Sequence, residues 1–192
     1  MPILQLHLIG GAPLTGKTTL AAKLGKTHQA VVLSTDHIRQ WMQGVCNSAD
    51  YPKVMFTAGG MTAEDYYQVF TTPEAALQEE IAQCKEVEAG ILSLLKANPP
   101  WPLLILEGIA ITPKFASEIS RQFPGMSVRT TFLYESNHER IKHRVMERGL
   151  WAAADTYSND VKPLEIDWAI QYNEWFREQV ITHNYQLTPV TE

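Results

Sequence analysis

Cysteine is scarce in this chain of 192 residues: only Cys46 and Cys84 occur, far apart and outside any Cys-x-x-Cys. That leaves no basis for a disulfide framework or a cysteine zinc site, and reduced thiols are expected. No run of lysine or arginine stands out, and the formal net charge is −5. The chain therefore lacks the basic stripe that holds long nucleic acid through its phosphates. No apolar run reaches the length of a membrane span. The opening Met1-Pro2-Ile3-Leu4-Gln5-Leu6 lacks the positive n-region and cleavage site of a secretory leader. These absences predict a soluble, cytoplasmic protein. What remains is ordinary globular composition, 45% hydrophobic and 19% charged, with a length that fits one domain over 1–192.

The apolar segments alternate in period. Ile3 to Ile9 is apolar apart from Gln5 and His7 and ends at Gly10-Gly11, which predicts a buried strand running into a glycine turn. Leu20, Ala21 and Leu24 mark one face of a short helix, and Ala30 to Leu33 a second strand. Residues 47–62 hold Tyr51-Pro52 and Gly59-Gly60 with no sustained period and are read as loop. Thr72-Pro73 has the hydroxyl cap and N1 proline of a helix start. Leu77, Ile81, Cys84, Ile91 and Leu95 then continue a long amphipathic helix to Asn98-Pro99-Pro100. Leu103–Leu106 is a strand buried on both faces, Val128 to Tyr134 a fourth and Tyr185 to Val190 a fifth. Helices are expected from about Asn137 to Gly149 and over Leu164 to His183. This alternation predicts an α/β three-layer sandwich, about five parallel strands with helices on both faces.

Gly11-Ala12-Pro13-Leu14-Thr15-Gly16-Lys17-Thr18 matches G-x-x-x-x-G-K-[ST] at every fixed position, between a strand and a helix. The glycines let backbone N–H groups turn inward around phosphates, and the helix start adds its positive dipole end. Gly11 to Thr18, with Thr19 beside them, are the expected nucleotide-binding residues. Lys17 supplies a point charge for the β- and γ-phosphates, and the Thr18 hydroxyl is suited to Mg²⁺. ATP and Mg²⁺ are thus the expected cofactors. The chain has neither the Asn-Lys-x-Asp of guanine readers nor the Leu-Ser-Gly-Gly-Gln of transporter ATPases. It is also too short for the added helical domain of a ring ATPase.

Ser34-Thr35-Asp36-His37-Ile38-Arg39 follows the second strand. In open α/β sheets, ligands bind beyond the carboxyl ends of the strands. Asp36 there is placed to accept the proton of an acceptor hydroxyl or to hold it in line through Mg²⁺. Arg39, one helical turn on, could bind an anionic group on the acceptor. The plainer reading of Asp36 is a helix cap. The phosphate loop, Ser-Thr-Asp-x-x-Arg and Leu106-Glu107-Gly108-Ile109-Ala110-Ile111-Thr112-Pro113 together resemble the small-molecule P-loop kinases. The nearest types are 2-phosphoglycerate kinase, the polynucleotide 5′-hydroxyl kinases, and the zeta-toxin and chloramphenicol phosphotransferase group. The resemblance covers residues 3–39, 103–113, 128–149 and 163–190. It implies that Asp36 activates the acceptor and that Arg39 binds it. It also implies that Glu107 ends a Walker B-like strand where many relatives have Asp, acting through water or touching the acceptor.

Arg144 and Arg148 lie i,i+4 in the basic helix 137–149, on one face. Nucleotide kinases carry an arginine-bearing lid at this point of the chain, and these two are its expected phosphate contacts. The plainer reading is a solvated helix with pairs to Glu139 and Glu147. His7 and His37 are read as packing or lining a pocket. The stretch 37–100 is where P-loop kinases keep acceptor-binding helices. There Trp41, Tyr66, Tyr67 and Phe70 offer either an aromatic wall or core. The expected activity is transfer of the γ-phosphate of ATP to a hydroxyl of a small molecule. Two alternatives stand beside it: an ATP-binding regulator or partner-dependent NTPase without an acceptor, and a nucleic-acid 5′-hydroxyl kinase.

Overall fold

The computed structural model describes residues 4–151, 158 and 160–190. Five parallel strands run β1 (Gln5–Gly11), β2 (Val31–Ser34), β3 (Leu103–Glu107), β4 (Ser127–Tyr134) and β5 (Leu187–Pro189). Their spatial order is β2-β3-β1-β4-β5. All five match expected strands; Ile3, the expected start of the first, lies outside the described residues. Helices α1 (Lys17–His28) and α2 (Thr35–Val45) flank β2, while α3 (Pro52–Phe56), α4 (Ala63–Val69) and α5 (Pro73–Lys96) follow it. α6 (Pro113–Gln122) joins β3 to β4, and α7 (His138–Arg148) with α8 (Lys162–Thr182) joins β4 to β5. Among the described residues, no helix is long and apolar enough to cross a membrane.

Side chains of successive strand residues point to opposite faces, so the two faces can be read from neighbours. Leu8, Leu106 and Phe132 belong to the larger core, which α5, α6 and α8 cover with Val87, Ile91, Phe115, Tyr172 and Phe176. Ile9, Ile105 and Leu133 turn the other way and meet Ala21 of α1 in a smaller core. Strands buried on both faces are predominantly apolar, which is why Leu103–Leu106 of β3 reads as an unbroken run and β1 is interrupted only at Gln5 and His7. Leu8, Leu104 and Leu106 are wholly buried, each contributing about 1.5–3 kcal/mol by leaving water.

β1 is hydrogen-bonded to β3 on one side and β4 on the other, with Ile9 opposite Glu107 and Gly10 opposite Phe132. The connection from β1 leaves toward β2, whereas that from β3 leaves toward β4. The adjacent carboxyl ends of β1 and β3 therefore form the crevice in which ligands of open α/β sheets bind.

The stretch 47–62 is not all loop. α3 forms inside it with Pro52 at its start, because Val54 is fully buried and its N–H donates to Glu86 Oε2 of α5 at 2.8 Å. α5 begins as expected, the Thr72 side chain accepting from Ala75 N. α6 has the same Thr-Pro start: Thr112 accepts from Phe115 N at 3.1 Å.

Candidate functional site

The loop after β1 is bent by three residues with positive φ: Gly11 at 149°, Leu14 at 60° and Gly16 at 86°. A Cβ at Gly16 would meet nothing within 4 Å, so glycine is needed there for conformation, not room. Leu14 holds a left-handed conformation costly for a branched side chain. Such alternating backbone turns N–H groups into one concavity, a nest for anions. Gly16 is also the N-cap of α1 and offers no side-chain cap. The first N–H groups of that helix, in the turn bearing Thr18 and Thr19, are left for a ligand.

Lys17 is 8% exposed, and its Nζ donates to the Ala12 carbonyl at 2.7 Å. The Thr15 hydroxyl donates to the same oxygen at 2.7 Å. Burial pushes the Lys17 ammonium down to about 8 from its usual 10.5; Glu107 and Asp36 resist that shift and Arg148 adds to it. The ammonium is thus held in a dry site whose nearest acceptor is one backbone carbonyl. Phosphate oxygens would favour its charged form.

Glu107 closes β3 at 3% exposure, and the Thr18 hydroxyl donates to its Oε1 at 3.2 Å. The following Gly108 explains the Glu-Gly pair: with φ at 146°, a Cβ there would stand 1.8 Å from Thr35 Oγ1. The segment beyond is anchored by Tyr172 of α8, whose hydroxyl donates to Ile109 O at 3.0 Å. Asp36 sits in the first turn of α2, but Ser34 caps that helix, accepting from Asp36 N at 3.2 Å. The Asp36 carboxylate is exposed and free of the capping role that was its plainer reading.

Thr18, Asp36, Glu107 and Lys17 line one cavity of about 320 Å³. The donor set of hydroxyl and carboxylate oxygens fits a hard cation such as Mg²⁺. Among the described residues, no three His, Cys, Asp or Glu side chains converge as a metal cage. An ion here would share its coordination with phosphates and water, the usual manner of Mg²⁺.

The far wall comes from the stretch between β2 and β3 and from α8. Arg39 lines the cavity, but its Nη2 pairs with Glu80 Oε1 at 2.5 Å. The Cys84 thiol donates to the same oxygen at 3.7 Å. Lys53 likewise pairs with Glu79 Oε2 at 2.6 Å. Beside the Arg39 pair stand Gln83, fully buried, and Trp168, 7% exposed. Gln83 Oε1, Trp168 Nε1 and Arg39 Nε have no hydrogen-bond partner among the described residues. Leaving such an atom buried and unmet costs about 1–3 kcal/mol, a reason to expect a ligand there. Tyr66 and Tyr67 complete the wall, with Trp151 packed 5.3 Å from the Tyr66 ring. Phe70 packs on Tyr66 instead, and Trp41 is 57% exposed.

The two α7 arginines part company. Arg148 lines the cavity. Arg144 Nη1 donates to Leu14 O at 3.1 Å and pairs with Glu135 Oε2 at 3.1 Å, bracing the phosphate loop from α7. Neither pairs with Glu139 or Glu147, which bind Lys142 and His143.

The residues that sequence reasoning missed are Glu80, Gln83 and Trp168. Their signal was present: Glu80 and Gln83 interrupt the inner stripe of α5 between Leu77 and Cys84, where solvation cannot account for a polar side chain.

No protein-family model and no curated protein matches this chain. Among solved structures it is similar to a shikimate kinase from Bacteroides thetaiotaomicron, with TM-score 0.57 and 12% identity over 97% of this chain and 86% of that one. It is similar to TT1252 from Thermus thermophilus with TM-score 0.52 and 18% identity, over 100% and 90% of the two chains. A gluconokinase from Sinorhizobium meliloti 1021 gives TM-score 0.51 and 12% identity over 100% and 86%. At these identities the likeness is one of fold: an open parallel sheet with helices on both faces, shared with P-loop kinases.

Proposed function

We propose that this chain is an ATP-dependent kinase that moves the γ-phosphate to a hydroxyl of a small-molecule acceptor. The observation that carries the reading is that one cavity runs from Lys17 and Thr18 past Asp36 to the Gln83 and Trp168 wall. A regulator that only holds ATP has no use for a second wall with unmet polar atoms.

In this reading the loop 11–18 and the start of α1 hold the phosphates, and Lys17 charges against the β- and γ-groups. The acceptor oxygen attacks the γ-phosphorus; an O–P bond forms while the bond from that phosphorus to the β–γ bridging oxygen breaks. Asp36 takes the acceptor proton, and ADP carries away the electron pair of the broken bond. Arg148 meets charge that builds on the transferring group. Thr18, Glu107 and Asp36 are the residues that would hold Mg²⁺, which when bound neutralises phosphate charge. The Asp36-x-x-Arg39 and Glu107-Gly108 islands support placing the chain near the kinase group named above.

The test is ADP release with an acceptor panel of nucleosides, polyols, hydroxy acids and a 5′-hydroxyl oligonucleotide. Acceptor-stimulated turnover is expected with a small molecule. Asp36→Asn should lower single-turnover transfer by roughly 10²–10⁴-fold with ATP binding nearly intact. Basal hydrolysis that no acceptor stimulates would overturn the kinase reading.

A further inference from the structure

The acceptor wall has a charge pattern that bears on what it selects. Arg39 is the cation on that wall best placed to greet an anionic acceptor, yet Glu80 already neutralises it at 2.5 Å. Glu80 is itself nine-tenths buried and held by the Cys84 thiol, so the pair is fixed in place. Asp36 and Glu107 also line the cavity, on the side where Mg²⁺ would be held, and offer no cation to an acceptor. The remaining cations lining it, Lys17 and Arg148, lie where the phosphates of ATP are expected. Among the described residues, a carboxylate or phosphate on the acceptor would find the wall's arginine already paired and would lie against the buried Glu80 carboxylate, a like-charge contact that disfavours binding.

The unmet atoms of the wall are of both kinds. Gln83 Oε1 seeks a donor, while Trp168 Nε1 and Arg39 Nε offer hydrogens. Each is neutral or already charge-balanced, and aromatic faces of Tyr66 and Tyr67 stand beside them. Buried amide and indole groups discriminate strongly for a ligand that completes them.

Resting on the kinase reading, we propose that the acceptor is an uncharged molecule, bearing a hydroxyl together with one hydrogen-bond donor for Gln83 and one acceptor for Trp168. Glu80 excludes anionic acceptors by occupying Arg39. Sugars and polyols share this chemistry with nucleosides, and the arms of the test separate them.

The measurement is calorimetric binding to the ADP·Mg²⁺-loaded protein, run beside ADP release with ATP. It uses neutral and anionic partners of one skeleton: glucose with gluconate, glycerol with glycerate, and a nucleoside with its 3′-monophosphate. The neutral member of at least one pair should bind and turn over at least tenfold better than its anionic partner. Gln83→Leu should weaken that neutral ligand tenfold or more and leave ADP affinity unchanged. Glu80→Gln, by freeing Arg39, should narrow or reverse the preference within the pair. Should Glu80→Gln fail to fold, Arg39→Gln with Glu80→Gln removes both charges and should keep the neutral preference. Tighter binding of anionic members by the parent protein, or binding of no neutral member, overturns the inference. Neutral ligands that bind through Gln83 but receive no phosphate would instead overturn the kinase reading and leave the pocket chemistry standing.

Discussion

Raising the pH should weaken ATP binding through Lys17 before any other group of the phosphate loop responds. Burial sets its ammonium at about 8 in the free protein. Phosphates replace the lone Ala12 carbonyl partner with negative charge and restore a value near the usual 10.5. The bound state therefore holds a proton that the free state gives up between those values. At pH 7 about nine-tenths of the free protein is already protonated, so binding takes up about 0.1 proton. At pH 9 only about one-tenth is, so binding takes up about 0.9 proton and affinity falls about tenfold, or 1.4 kcal/mol. Titration calorimetry in two buffers of different ionisation enthalpy reads that uptake as a buffer-dependent heat, about nine times larger at pH 9 than at pH 7. Lys17→Met should abolish it. The nucleotide-free fold should move oppositely: between pH 8 and 10.5 the unfolded chain keeps the proton that the folded one has lost, so stability rises with pH. A heat at pH 9 that does not depend on buffer would refute the argument.

Replacing Arg148 by Ala should lower kcat more than ATP affinity, because its charge matters most as the phosphoryl group transfers. Arg144→Ala should act first on stability, by about 1–2 kcal/mol in a denaturant melt, since it removes the nearer of the two arginines beside the buried Glu135 carboxylate and leaves Arg140 at 4.0 Å. His7, hydrogen-bonded to Thr131 Oγ1 at 2.8 Å, is pushed down to about 4, chiefly by burial and then by Arg129 and His28. Because the unfolded chain protonates first, stability should fall by about 2.5 kcal/mol as pH drops from 6.5 to 4. His7→Gln should flatten that slope in pH-dependent melts. Gly108→Ala should displace Thr35 and with it the start of α2, costing roughly 2 kcal/mol or more in Tm-derived stability and disturbing the Asp36 position.

Much of this was legible in the chain because it rests on local physics. The phosphate loop is a contiguous motif whose glycines answer backbone needs, and β1 and β3 announce their double burial by their largely apolar runs. Long helices such as α5 repeat their apolar positions often enough to be read. α3 is too short for a period, and it exists because Val54 finds a pocket and Glu86 finds its N–H. The sequence places Arg39 one turn beyond Asp36, where it is expected to meet an anionic group. Its actual partner, Glu80, arrives from the next long helix. Pairings that cross elements are set by the fold, and so was the split between Arg148 and Arg144, which share a helix face but meet different neighbours.

The wall that holds Gln83 has a practical consequence. Two of the five tryptophans, Trp151 and Trp168, line the cavity, whereas Trp41 lies open to water. An indole whose N–H gains a hydrogen bond, in surroundings that lose water as a ligand arrives, changes its emission colour and yield. The chain thus contains an optical gauge of its own occupancy, needing no dye and no labelled ligand. Trp41→Phe would remove the solvent-facing background without touching the cavity. Acceptors could then be sought by watching the protein glow differently, before any product is known.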